Sequence, residues 1–251
     1  MLADNAGPFT GPGTNTWILG DDAGAVTVID PGPVDSIHAK KIVEMAGPRR
    51  IESVLVTHTH SDHAPMANPL AAELGVPAVG HSPGPSFDPD IRLLDGARFD
   101  VGSLTLEVVH TPGHAADHLC FRVGTVLFTG DHIIGGSSVM VDDMGAYLVS
   151  LRKLKDQGLT SLHPGHGEIM EDPDAVIDWY LAHRLQRHQE IYEAISAGCE
   201  DIGKIVEKVY ADVDPALHRL AARSVEAHVG LLLAEGRIAS DEDRLVPSSS
   251  S

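Results

Sequence analysis

Thr57-His-Thr-His-Ser-Asp-His-Ala-Pro65 follows directly on the apolar run Ile51-Glu-Ser-Val-Leu-Val56. Three histidines and an aspartate thus crowd the point where a β-type segment runs out. On an extended or tightly turning segment His58 and His60 project to one side, while Asp62 and His63 on the next turn face a second point nearby. Two neutral imidazoles need a further nitrogen to complete a three-ligand metal site, and an aspartate with a histidine likewise needs company. Three later strand ends supply it: His114 in His110-Thr-Pro-Gly-His114, Asp131 in Phe128-Thr-Gly-Asp131, and His166 in His163-Pro-Gly-His166. Each follows a glycine that lets the backbone turn sharply. Any one of the three is an ordinary turn residue alone; together, after glycine, they predict two metal sites.

The ordered set T-H-x-H-x-D-H, T-P-G-H, F-T-G-D and P-G-H-G resembles the metallo-β-lactamase superfamily, over roughly residues 8 to 240. The resemblance implies an α/β fold, an αββα sandwich with its metals at one edge between the sheets, followed by a helical winged-helix-like region. It implies further that His58, His60 and His114 hold one metal, that Asp62, His63 and His166 hold the other, and that Asp131 bridges them. Asp30, at the end of the strand Val26 to Ile29, is similar to the superfamily's outer-shell aspartate and would orient a ligand. Gly13-Thr-Asn-Thr-Trp17 and the helical C-terminal region resemble the lactamase-beta-2-like branch, not the secreted antibiotic-resistance enzymes. Neither Cys120 nor Cys199 is placed to act as the zinc-thiolate ligand of other β-lactamases, and His60 stands where the flavodiiron branch has a glutamate.

A Zn²⁺ ion brings the pKa of bound water from about 15.7 to about 7, and two metals about 3.5–4 Å apart clamp nucleophile and substrate oxygen together. The resemblance therefore implies a binuclear metal-dependent hydrolase in which Asp62 and Asp131 also serve catalysis. Histidine and carboxylate donors without a thiolate suit two zinc ions per chain, and the same set tolerates iron or manganese. The expected substrate is a small carbonyl compound, a thioester, lactone or other ester attacked by bridging hydroxide. A single-stranded RNA phosphodiesterase, which the same branch allows, is the alternative. The acyl and leaving groups stay open, as do substrate contact by His118 and a place for Asn15 and Thr16 at the pocket mouth.

Charge bears on that choice. The chain carries 36 acidic against 18 basic side chains, a formal net charge of −18 that repels polyanions. From residue 171 onward the ratio is the same, 16 acids to 8 bases, so nucleic acid is not the expected partner of the helical region. Capping the pocket or homodimer contact is the expected role. Two cysteines far apart exclude a disulfide framework, nowhere do 18 apolar residues run together, and the first 17 residues lack signal or transit character. The expectation is a cytoplasmic protein.

The chain, 251 residues with 43% hydrophobic content, has ample material for a core. Strand and helix signals alternate from Trp17 to Gly80, and an antiparallel series is predicted from Ile91 to Phe128. Tyr147 to Lys155 reads as helix. After Glu171 come a long amphipathic helix, with Asp172 capping Pro173, two shorter helices over 202–210 and 215–235, and a short strand at Arg237-Ile-Ala239. The predicted division is a catalytic domain over 1–170, a winged-helix-like appendix over 171–246 and a disordered tail over 247–251.

Overall fold

The computed structural model describes residues 1–22, 24–136, 138–242 and 244–248. The chain divides into two compact units. The first comprises Met1–Pro112, Ala116–Val139 and Asp156–Asp174; the second comprises Gly113–Ala115, Met140–Lys155 and the chain from Ala175 onward.

In the first unit one sheet runs in the order β1 (Trp17–Gly20), β2 (Ala25–Ile29), β3 (Arg50–Leu55), β4 (Ala78–Gly80), β5 (Ile91–Arg92). β1 is antiparallel to β2, and the remaining neighbours are parallel. Every residue of β2 is buried, as expected of a parallel strand covered on both faces. The crossovers are α1 (Ser36–Ala46) and α2 (Ala67–Leu74). The Asp35 carboxylate caps α1 by accepting from the Ile37 N–H at 2.8 Å, and Gly47, at φ 61°, ends it. Ile42, Leu70 and Ala71 from these helices meet Val26, Val28 and Val54 on one face of the sheet.

The second sheet runs β11 (Met170–Glu171), β10 (Ser161–Pro164), β9 (Val126–Gly130), β8 (Leu119–Val123), β7 (Leu104–His110), β6 (Arg98–Val101). Its pairs are antiparallel except β9 with β10. Ile29, Leu55 and Val79 of the first sheet share a core with Leu106, Leu119, Phe121 and Phe128 of the second, which makes the sandwich. The ends of β7, β9 and β10 and the start of β8 therefore share one edge. Hydrogen bonds join that edge to the first sheet: the Leu119 N–H donates to Thr57 O at 2.7 Å, and the Asn15 N–H to Gly165 O at 2.7 Å.

The second unit contains α3 (Met144–Leu154), most of α4 (Pro173–Ser196), α5 (Ile202–Val209), a 3₁₀ turn at Pro215–Leu217, α6 (His218–Ala234) and the two-stranded β12 (Ile238–Asp241) and β13 (Arg244–Pro247). Ile191 and Ile195 of α4, Ile205 and Val206 of α5, and Val225 and Leu232 of α6 form its core with Ile238.

Three expectations change. Ile91 and Arg92 pair in parallel with β4, so the antiparallel series begins only at β6. α3 begins at Met144, three residues early, because the Asp143 carboxylate accepts from the Ala146 N–H at 2.9 Å. Pro247 does not open a disordered tail: it ends β13 opposite Ile238, and the Ser248 N–H donates to Arg237 O at 3.0 Å. Residues 249–251 of that expected tail lie outside the described residues.

Candidate metal centre

Within the first unit Asp62, His63, Asp131 and His166 can hold a metal ion, their donor atoms lying within 4.8 Å of one another. His63 Nε2 stands 3.4 Å from Asp131 Oδ1 and 3.2 Å from His166 Nε2, while His166 Nε2 is 3.2 Å from Asp62 Oδ2. Of the four, only Asp62 is not buried. In the same unit, His58 Nε2 lies 2.9 Å from His60 Nδ1. His114 belongs to the second unit, where its Nδ1–H donates to Met140 O at 2.7 Å.

Four of these histidines share a design: a protein group engages Nδ1. His63 Nδ1 meets Asp30 Oδ2 at 2.9 Å, His58 Nδ1 meets Thr57 Oγ1 at 3.0 Å, and His166 Nδ1 meets Gly13 O at 3.3 Å. With His114 on Met140 O, four imidazoles are engaged at Nδ1 by a protein group, and the Nε2 atoms of His58, His63 and His166 meet other candidate ligands. Asp30 itself is buried and held at φ 50°, an uncommon conformation for aspartate. Its carboxylate accepts from the Thr57 N–H at 2.8 Å and the Thr57 hydroxyl at 2.7 Å, tying the end of β2 to the start of the histidine segment.

The electrostatics suit a cation. Burial by itself would push the histidine pKa values down, but Asp131 and then Asp30 hold His63 well above the usual range. Hydrogen bonds to Asp131 and Asp62 likewise outweigh burial at His166 and raise it to about 9. Burial also fails to raise the carboxylates: His63 and His166 keep Asp131 well below its ordinary range, and the His166 hydrogen bond and the His63 charge lower Asp62. A site that favours protons so strongly also favours a dication, and its nitrogen and oxygen donors fit a divalent transition metal.

Sequence reasoning left His118 open between substrate contact and structure. It is fully buried, and its Nε2 accepts the Asp131 backbone N–H at 3.1 Å. A backbone N–H can only donate, so the proton sits on Nδ1 and donates to Thr111 Oγ1 at 2.9 Å. His118 thus steadies the backbone that carries Asp131. Asn15 was also undervalued. Its Nδ2 donates to Pro164 O at 3.0 Å and Gly167 O at 2.9 Å, clamping the turn that presents His166, while the Thr16 hydroxyl donates to Asp30 O at 2.8 Å. The signal for both was the Gly13-Thr-Asn-Thr-Trp17 segment, whose short polar side chains suit backbone capping.

Residues 9–172 match the metallo-beta-lactamase superfamily, and residues 202–245 match the beta-lactamase associated winged helix domain. The chain is 30% identical over 247 residues to the beta-lactamase-like protein 2 homolog of Caenorhabditis elegans, covering 94% of this chain and 84% of that one. It is 31% identical over 252 residues to the atrochrysone carboxyl ACP thioesterase of Aspergillus chevalieri, at 94% and 80% coverage. A metallo-beta-lactamase family protein from Thermus thermophilus superposes with TM-score 0.79 at 20% identity, covering 93% of each chain. This chain belongs to the metallo-β-lactamase superfamily, with a C-terminal winged helix domain. It is a hydrolase of that superfamily. No helix among the described residues is long and apolar enough to cross a membrane.

Proposed function

We propose that this chain is a binuclear metal-dependent hydrolase of small carbonyl esters, thioesters foremost. In this reading His58, His60 and His114 would hold one zinc ion, Asp62, His63 and His166 would hold the second, and Asp131 would serve both. The observation that carries it is the cluster of Asp62, His63, Asp131 and His166, whose donor atoms lie within 4.8 Å of one another, while His58, His63, His114 and His166 are each engaged through Nδ1. Such ions, when bound, supply hydroxide at neutral pH and polarise the substrate carbonyl. Asp30 holds His63 in its tautomer, Asn15 holds the His166 turn, and Asp62, the more exposed carboxylate at 24% side-chain exposure, reaches the solvent side where substrate enters. Support for thioesters comes from relatives named atrochrysone carboxyl ACP thioesterase.

The competing reading, an RNA phosphodiesterase, draws on the winged helix domain. Two acids per base, in the whole chain and from residue 171 onward, oppose backbone binding to a polyanion. One metal-loaded preparation decides both points. Elemental analysis should find about two transition metals per chain, and turnover of a thioester or lactone should vanish with a chelator. Trace metal only, or efficient RNA cleavage beside negligible ester hydrolysis, would overturn the proposal.

A further inference from the structure

Past the end of β3 the histidine segment leaves the sheet, and its backbone needs partners that the ladder no longer supplies. The Val56 N–H still donates to Val79 O at 2.9 Å. Two carboxylates then take over: the Thr57 N–H donates to Asp30 Oδ1 at 2.8 Å, and the Thr59 N–H donates to Asp117 Oδ2 at 3.0 Å. Thr59 is the residue between His58 and His60, half-buried and followed by the exposed His60 and Ser61. A charged acceptor makes a stronger bond to an N–H than a neutral one, so it can hold a peptide that packing holds only in part.

Two further contacts fit this role. On its side chain Thr59 is closed in by Gly84, where an added Cβ would stand 2.4 Å from Thr59 Cβ and 2.6 Å from its Oγ1. Asp117 in turn opens a short segment that fastens ligand-bearing backbone at each of its residues. Leu119 donates its N–H to Thr57 O at 2.7 Å, and His118 Nε2 accepts the Asp131 N–H at 3.1 Å. With the Thr59 peptide held in this way, His58 Nε2 and His60 Nδ1 stand 2.9 Å apart, near the separation of two nitrogens on one zinc ion. Asp30 reaches His63 as well as Thr57, whereas Asp117 reaches the His58–His60 peptide itself.

We propose that Asp117 is a positioning residue: through the Thr59 N–H, its carboxylate presets His58 and His60 to hold one metal ion. The metal half of this inference rests on the binuclear reading, but the clamp is measured on the metal-free chain.

Asp117→Ala removes the acceptor, and Asp117→Asn keeps a side-chain oxygen at the same reach without the charge. In the metal-free full chain, Asp117→Ala should speed amide hydrogen exchange at Thr59 by at least about tenfold, while Asp117→Asn stays near wild type. The Val54 amide, inside β3 and bonded to Pro77 O at 2.9–3.0 Å spacing typical of a ladder, should exchange at the wild-type rate in all three proteins, which separates loss of the clamp from loss of the fold. Zinc titrated into the same proteins should reveal two ions in wild type. Asp117→Ala should weaken one of them by about tenfold or more and leave the other unchanged, and Asp117→Asn should recover most of that loss. Unchanged Thr59 exchange in Asp117→Ala, equal weakening of both ions, or an Asp117→Asn variant as impaired as Asp117→Ala would each overturn the proposal. Faster Thr59 exchange in Asp117→Ala alone, in a chain whose wild type binds no zinc, would leave the clamp assigned and sink the binuclear reading instead.

Discussion

At the scale of single residues, the carboxylates differ in what they touch, and their substitutions should separate accordingly. Asp131 Oδ1 lies against both His63 and His166, whereas Asp30 acts on the site only through His63 and Thr57. Asp131→Ala should abolish hydrolysis; Asp30→Ala should lower activity or metal affinity by about 10–100-fold. Equal, mild losses in kinetic and metal-titration measurements would contradict these roles. His118 is the positioning residue behind Asp131. His118→Leu removes the acceptor for the Asp131 N–H and should weaken metal binding by about tenfold or more, with kcat falling in step. His118→Gln keeps an acceptor at similar reach and should recover most of both, a rescue that loss of packing alone does not explain.

At the scale of elements, the site depends on close backbone approach where strands end. At Gly165, just past β10, an added Cβ would stand 2.6 Å from Asp131 Oδ1 and 2.7 Å from His63 Cε1. Gly165→Ala should therefore displace Asp131 and His63, both proposed ligands, and cut metal affinity by about tenfold or more while the circular dichroism of the chain is retained. Unchanged metal stoichiometry and affinity would show that the turn relaxes without moving the ligands. The Pro-Gly-His pattern around Gly165 was visible in the sequence, as was the helix-then-tip order of the C-terminal region. The pairing of β5 with β4 was not, because a two-residue strand carries no periodicity from which its partner can be read.

At the scale of the whole molecule, acid sensitivity should originate in the winged helix unit. His228 is fully buried on α6, and its Nδ1 lies 3.3 Å from His188 Nδ1, whose Nε2 meets Glu235 at 3.1 Å. Burial first, then the neighbouring His188 and Arg184, lowers His228 to about 3. The unfolded chain protonates this imidazole below its ordinary pKa of about 6.5 while the folded chain refuses the proton. His228 therefore leaves stability intact above that pH and erodes it as pH falls from about 6.5 toward about 3, at up to about 1.4 kcal/mol per unit. His228→Phe should flatten the fall in melting temperature between pH 6.5 and 4.5. A slope unchanged from wild type would place the acid lability elsewhere.

Residue order alone was enough for the family and the candidate ligands, because metal chemistry tolerates few substitutes and sets His58, His60, Asp62 and His63 at short, legible spacing. The same local logic exposed the amphipathic helices after residue 171 and the acidic character that argues against RNA. Only the tertiary structure decided which nitrogen of each imidazole is engaged, that His118 serves the Asp131 backbone, that Asn15 clamps a turn some 150 residues away in sequence, and that Pro247 closes a strand. Those outcomes depend on hydrogen bonds and packing between segments remote in the chain. A polar residue at a turn has many partners of similar strength available to it, and only the folded backbone selects one.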